Sequence, residues 1–191
     1  MKICVFASSS SLLHEMYINC AVELGSLMAS EGFEIIYGGG GTGLMARLAD
    51  SALTSGGKVT GVIPGFMQDE GWGHKAVSEM IITDDMHNRK KTMFDLSDAV
   101  VALPGGIGTL EELTEAITLK QLGIYNGPVV ILNTLGFYDL FLKMLEKMVS
   151  ENFLLPQHRD IYTVAATPHD VISQIKNYRG WISNPRGIAK I

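Results

Sequence analysis

Cysteine is scarce in this 191-residue chain: Cys4 and Cys20 are the two it has, and they form no CxxC pair. A disulfide framework or a zinc site finds little support there, and a reducing compartment fits. Charge is sparse as well, at 18% of residues, and it tilts acidic, with 15 Lys and Arg against 20 Asp and Glu. A net charge of −5 argues against the broad basic footprint that nucleic acid or an anionic membrane demands. Any phosphate held by this protein must therefore be held locally. No apolar run approaches the roughly 18 residues of a membrane span. The first run, Ile3–Ala7, holds five apolar residues before four serines, short of the roughly 7–15 in the core of an export signal. It is expected to be a first β-strand, and the protein to be cytoplasmic.

What the chain has in quantity is apolar residues, at 47%, and glycine, at 21 residues. Such a composition excludes disorder and can bury a core. Below roughly 250–300 residues one domain is expected, so residues 1–191 are read as a single domain. Short β-branched runs recur at Ile3–Ala7, Glu34–Tyr37, Val59–Ile63, Met80–Thr83, Ala99–Leu103, Val129–Leu132 and Ile161–Val164. Between them lie stretches of helical spacing, about Leu12–Ser30, Leu44–Ser55, His87–Leu96, Leu110–Leu122, Phe137–Glu151 and Pro168–Tyr178. Val100–Leu103 and Val129–Leu132 are apolar on both faces, as strands covered on each side by helices must be. The alternation predicts an α/β fold: a doubly wound, mostly parallel, Rossmann-like sheet of about seven strands. Ligands in such sheets sit beyond the carboxyl ends of the strands, which directs attention to the strand-to-helix turns. One long polar loop, Phe66–Ala76, is a candidate lid. The basic tail with Lys176, Arg179, Arg186 and Lys190 reads as a helix end and a solvated segment.

Two glycine clusters stand at such turns. Gly38-Gly39-Gly40-Gly41-Thr42-Gly43 contains a formal G-x-G-x-x-G, but it follows the second strand. The region about 20 residues on, Thr60–Pro64, lacks the acid that a dinucleotide ribose needs. The run is either a tight turn for strand–helix packing or a wall, including Gly39 and Thr42, against which a ligand backs closely. The second cluster, Gly105-Gly106-Ile107-Gly108-Thr109, runs from a strand directly into a helix. Its backbone N–H groups at the positive end of the helix dipole make an anion seat without basic side chains. Thr109 adds a hydroxyl. No Gly-Lys-Ser/Thr follows, which excludes a Walker loop and leaves a monophosphate as the better fit. On this helix Glu112, Ala116, Leu119 and Gly123 project opposite Leu110, Leu113, Ile117 and Gln121. A second apolar face predicts burial against another subunit, with Glu112 half-dry beside the phosphate seat.

A third group, Asp84-Asp85-Met86-His87-Asn88-Arg89-Lys90, opens a further helix. Arg89, one of five arginines in the chain, has the planar chemistry that grips phosphate or carboxylate in two places. Asp84, Asp85 and His87 could suggest a metal, but no nearby residue completes a ligand set.

Residues 104–112 fit a PGGxGTxxE signature, Met86–Lys90 resembles its companion MHxRK, and Tyr37–Met45 resembles YGGGxxGLM. Together these resemble the LONELY GUY family of cytokinin riboside 5′-monophosphate phosphoribohydrolases, long labelled lysine decarboxylases. The resemblance runs from the Ser8–Ser10 turn to about Phe153. It implies hydrolysis of the N-glycosidic bond of a nucleoside 5′-monophosphate, without cofactor or metal, by a homodimer with sites near its interface. It implies that Arg89 and Glu112 are the essential arginine and glutamate. Gly105, Gly106, Gly108 and Thr109 are then expected to fix the phosphate, with Lys90, Met86, Ser8, Gly39 and Thr42 as further binding residues. Arg89 would hold either the phosphate or the junction of ribose and base. Base preference, cytokinin-type or plain adenine, is left open. No motif marks a Schiff-base lysine of the kind that a decarboxylase needs. A non-catalytic nucleotide or cofactor carrier of the same fold is the alternative.

Overall fold

A computed structural model describes residues 1–181 together with Pro185 and Gly187. Arg186 and Lys190 of the basic tail lie outside the described residues. Seven strands, β1 (Lys2–Phe6), β2 (Glu34–Tyr37), β3 (Val59–Pro64), β4 (Glu79–Thr83), β5 (Ala99–Ala102), β6 (Val129–Leu132) and β7 (Thr163–Ala165), pair in the order β4-β3-β2-β1-β5-β6-β7. Every pairing is parallel. The chain winds outward one way from β1, returns to the middle, and continues the other way from β5. Strand order therefore reverses between β1 and β5, where ligands of doubly wound sheets bind.

Alternation along the strands sorts the core into two layers. Ile3 and Val5 of β1 face one side, where α1 (Glu15–Ser30), α2 (Gly43–Thr54) and α7 (Pro168–Asn177) bury Leu24, Leu48 and Val171. Cys4 and Phe6 face the other, against Met93 of α4 (Met86–Asp95), Leu113 of α5 (Ile107–Gln121) and Leu145 of α6 (Asp139–Ser150). Among the described residues no helix is long and apolar enough to cross a membrane.

Three expectations from sequence are corrected. α5 begins at Ile107 with Gly106 as its N-cap, three residues before the expected start, because glycines at positions 106 and 108 can enter a first turn. Its buried stripe is Thr109, Glu112, Leu113, Ala116, Ile117 and Lys120. Glu112 and Ala116 thus share one inward face with Leu113, and the chain's own sheet covers them; no second subunit is needed to explain their burial. Finally, the segment expected as a polar loop opens with a five-residue helix, α3 (Gly65–Asp69). It is then tied to the first glycine run by an antiparallel bridge between Gly40 and Gly73.

Candidate active site

A cavity of about 1070 Å³ opens at the carboxyl ends of the central strands, slightly above the roughly 300–1,000 Å³ typical of small-molecule sites. Residues after β1 (Ser8–Ser10), after β2 (Gly40–Thr42) and at the head of α5 (Gly106–Thr109) line it. Three crossover turns meet there because the reversal of strand order places β1 between β2 and β5.

The head of α5 has the form of an anion seat. The first intrahelical bond runs from Leu110 N–H to the Gly106 carbonyl at 3.0 Å, so the N–H groups of Ile107, Gly108 and Thr109 precede it and lie at the positive end of the helix. A Cβ added at Gly106 or Gly108 would meet nothing within 4 Å. The protein's own packing does not require glycine at either position; the space belongs to the cavity. Gly105 differs: a Cβ there would overlap the Thr109 side chain, and Gly105 does not line the cavity. Thr109 does, although it is otherwise buried.

One turn farther along α5, Glu112 meets Arg89. Asp85 caps α4 by accepting from Asn88 N–H at 2.7 Å, and the first turn of that helix carries Arg89 to β3 and the end of β2. Arg89 Nη1 donates to Glu112 Oε1 at 2.9 Å, Nε to the Val62 carbonyl at 3.0 Å, and Nη2 to the Gly38 carbonyl at 3.3 Å. Three of the five guanidinium N–H donors are therefore committed. Both residues line the cavity although each is less than a tenth exposed. Among the described residues Glu112 Oε2 accepts no hydrogen bond, and Oε1 is anchored by Arg89. Burial lifts the Glu112 pKa above the ordinary carboxylate value, against the opposing pull of Arg89. The guanidinium thus aims this carboxylate rather than reaching for a ligand with its whole fork.

The first glycine run makes this pair possible. A Cβ on Gly38 would overlap Arg89 Nη2, one on Gly40 would strike Met45, and one on Gly43 (φ +64°) would enter the backbone of Ser8–Ser10. That run serves the protein's internal contacts; Gly39 is buried in its turn and does not line the cavity. Thr42 and Ser8 do line it. The Thr42 hydroxyl donates to the Ser9 carbonyl at 2.9 Å, and Ser8 Oγ accepts from Ser10 N–H at 3.1 Å. Met86 also lines the cavity, whereas Lys90 does not. Lys90 Nζ is paired with Glu111 and, at 2.8 Å, with Glu115, so it braces α4 against α5. Met45, Trp72, His74 and Lys75 line the cavity too, the last three from the expected lid. His74 Nε2 lies 3.0 Å from Asp50 Oδ1, and His74 N–H donates to the Gly39 carbonyl at 2.9 Å. Among the described residues no three His, Cys, Asp or Glu side chains form a metal-like group, and Asp85 is spent on its helix cap.

A protein-family model described as "Possible lysine decarboxylase" matches residues 45–175. A probable cytokinin riboside 5′-monophosphate phosphoribohydrolase of Oryza sativa subsp. japonica is 41% identical over 177 residues, covering 93% of this chain and 79% of the relative. A cytokinin riboside 5′-monophosphate phosphoribohydrolase of Arabidopsis thaliana is 40% identical, covering 93% and 83%. Among solved structures, the molybdenum cofactor carrier protein of Chlamydomonas reinhardtii superposes with a TM-score of 0.70 at 26% identity, over 92% of this chain and 95% of that one.

Proposed function

We propose, because the chain belongs to the LONELY GUY family, that it hydrolyses the N-glycosidic bond of an adenine- or cytokinin-type nucleoside 5′-monophosphate, releasing free base and ribose 5-phosphate. The observation that carries this reading is the placement of Glu112: in the cavity, one turn beyond the amide-lined head of α5, held on one oxygen by Arg89.

The 5′-phosphate rests on the N–H groups of Ile107, Gly108 and Thr109, with the Thr109 hydroxyl beside them. Holding the phosphate away from the scissile bond orients the ribose. As the bond from C1′ to the base nitrogen breaks, its electron pair leaves with the base and positive charge develops on the sugar. Glu112 stabilises that charge and accepts a proton from the water that adds to C1′; the base is protonated from solvent. O-glycosidases meet a similar cation with carboxyl groups. A carboxylate lifted in pKa by burial is the better proton acceptor. Arg89 acts through Glu112 and is a positioning residue in this scheme. Gly38 makes room for it, and Lys90 braces the helix that carries it. Ser8, Thr42 and Met86 border the nucleoside. Gly39 and Gly105 support the two turns from beneath.

Residues 1–191 form one nucleotide-binding domain in this reading, and the enzyme is a cytoplasmic homodimer. Leu135, Leu140, Met144 and Phe153 are large apolar side chains more than half exposed, and Ile107 at the cavity mouth is 82% exposed. A second copy covering them would bury the mouth of the site. The second reading is a carrier, the role named for the Chlamydomonas structure. A passive anion seat, however, gains nothing from a buried carboxylate next to it. Incubation with AMP and with isopentenyladenosine monophosphate separates the two. Free base and ribose 5-phosphate are expected; binding of both nucleotides with cleavage of neither would establish a carrier.

A further inference from the structure

The chain has two tryptophans, and the structure uses them differently. Trp181 is packed: its indole N–H donates to the Gln157 carbonyl at 3.1 Å, and its ring tilts against His158 with centroids 6.0 Å apart. A structural tryptophan commonly has its N–H satisfied in this way. Trp72 has neither feature. Its side chain makes no hydrogen bond and meets no aromatic ring among the described residues, and the residue is 54% exposed although it lines the cavity.

The backbone that carries it is fixed. Trp72 N–H donates to the Met67 carbonyl at 3.1 Å, and the Trp72 carbonyl accepts from Gly41 N–H at 2.9 Å. The bridge between Gly40 and Gly73 holds the next residue. An unpaired indole on an anchored segment is a preformed flat surface, so little ordering cost attends its use.

Its position matches one end of the substrate. The phosphate seat heads α5, which follows β5, while Trp72 follows β3 and is bonded to the loop after β2. In the order β3-β2-β1-β5 these two features stand on opposite sides of β1, and one continuous cavity joins them. Arg89 and Glu112 line the same cavity. Soft side chains flank the far end: Met45, Met67 and Met86 line the same cavity.

Resting on the hydrolase reading above, we infer that Trp72 is the stacking platform for the nucleobase and the residue that selects a flat bicyclic base over a bare sugar phosphate. It touches the leaving group, not the reacting carbon, and so acts on affinity more than on turnover. Base–aromatic stacking of this kind is worth about tenfold or more in binding.

The test is read at equilibrium in a Glu112→Gln background, so that turnover does not deplete the ligand. AMP is expected to quench tryptophan emission saturably in the chain with Trp72 and not in Trp72→Ala. Ribose 5-phosphate, which has no base, should compete with AMP yet quench nothing. Trp72→Ala should weaken AMP about tenfold and leave ribose 5-phosphate unchanged, while Trp72→Phe restores most of the loss. In the otherwise native chain, Trp72→Ala should raise KM and spare kcat. Equal AMP affinity with and without the indole, or equal weakening of AMP and ribose 5-phosphate, overturns the inference. Neither result depends on cleavage, so the hydrolase reading stands or falls separately, on release of free base by the native chain.

Discussion

At the scale of single residues, the unusual groups are a buried carboxylate and a buried ammonium. Glu112→Gln keeps the shape of the site and removes the charge; kcat is expected to fall on the order of 10³-fold while AMP still binds, measured by turnover and by calorimetry. Because burial raises the Glu112 pKa above its ordinary value of 4.5, and the ionised form is the working one, the acid limb of kcat should lie above that value. An acid limb that persists unchanged in Glu112→Gln would remove Glu112 from the chemistry. Lys120, on the inward face of α5, is 2% exposed, rests 4.5 Å above the Tyr178 ring, and pairs with no carboxylate among the described residues. Burial pushes its pKa down to about 8 from 10.5. Between those values the unfolded chain binds the proton more tightly than the folded one, so stability rises with pH across that window. Lys120→Met removes the charge and retains the packing. It should raise Tm at pH 7 by about 3 °C and flatten that rise, both readable by calorimetry.

Among the structural elements, the two glycine-rich turns make opposite predictions. Gly108→Ala adds a methyl group where nothing lies within 4 Å. It should stabilise α5 by about 0.5–1 kcal/mol and yet raise KM, because the methyl group intrudes on the anion. Gly38→Ala places its methyl group on Arg89 Nη2; displacing the guanidinium unseats Glu112 and should lower kcat on the order of 10²-fold. Steady-state kinetics beside thermal melts checks both. The sequence made the second turn legible, since a glycine loop running into a helix has a physical meaning before any fold is known. It left the first ambiguous between a packing turn and a ligand wall, because the side chain that needs Gly38 empty is Arg89, 51 residues away. Neighbours on a helix diverge by 100°, so Arg89 turns inward while Lys90 turns to Glu111 and Glu115; which carboxylates meet Lys90 depends on how α4 and α5 pack and is not written in either segment alone. The covering of Glu112 was read as a partner's work because a helical projection shows which residues align, not how wide a stripe the sheet can cover.

For the whole molecule, strand and helix alternation was sufficient to read a mostly parallel sheet of about seven strands covered by helices on both faces; the structure has seven, all parallel. The order of pairing, and hence which turns meet at the cavity, depends on contacts between distant segments. Sedimentation is expected to show a dimer. Charging the exposed apolar positions, as in Leu140→Glu with Met144→Glu, should yield monomers with reduced turnover; a monomeric native chain with full activity would refute the assembly. The reversal of strand order has one more effect. Arg89 is delivered by the wing that ends at β4, and Glu112 by the wing that begins at β5. Neither wing holds both members of the pair. A polypeptide severed at the Ser97–Asp98 turn would carry its chemistry in two inert fragments, and activity would return only as they dock. Turnover in this protein is thus a report of tertiary closure, because it requires the two wings to meet.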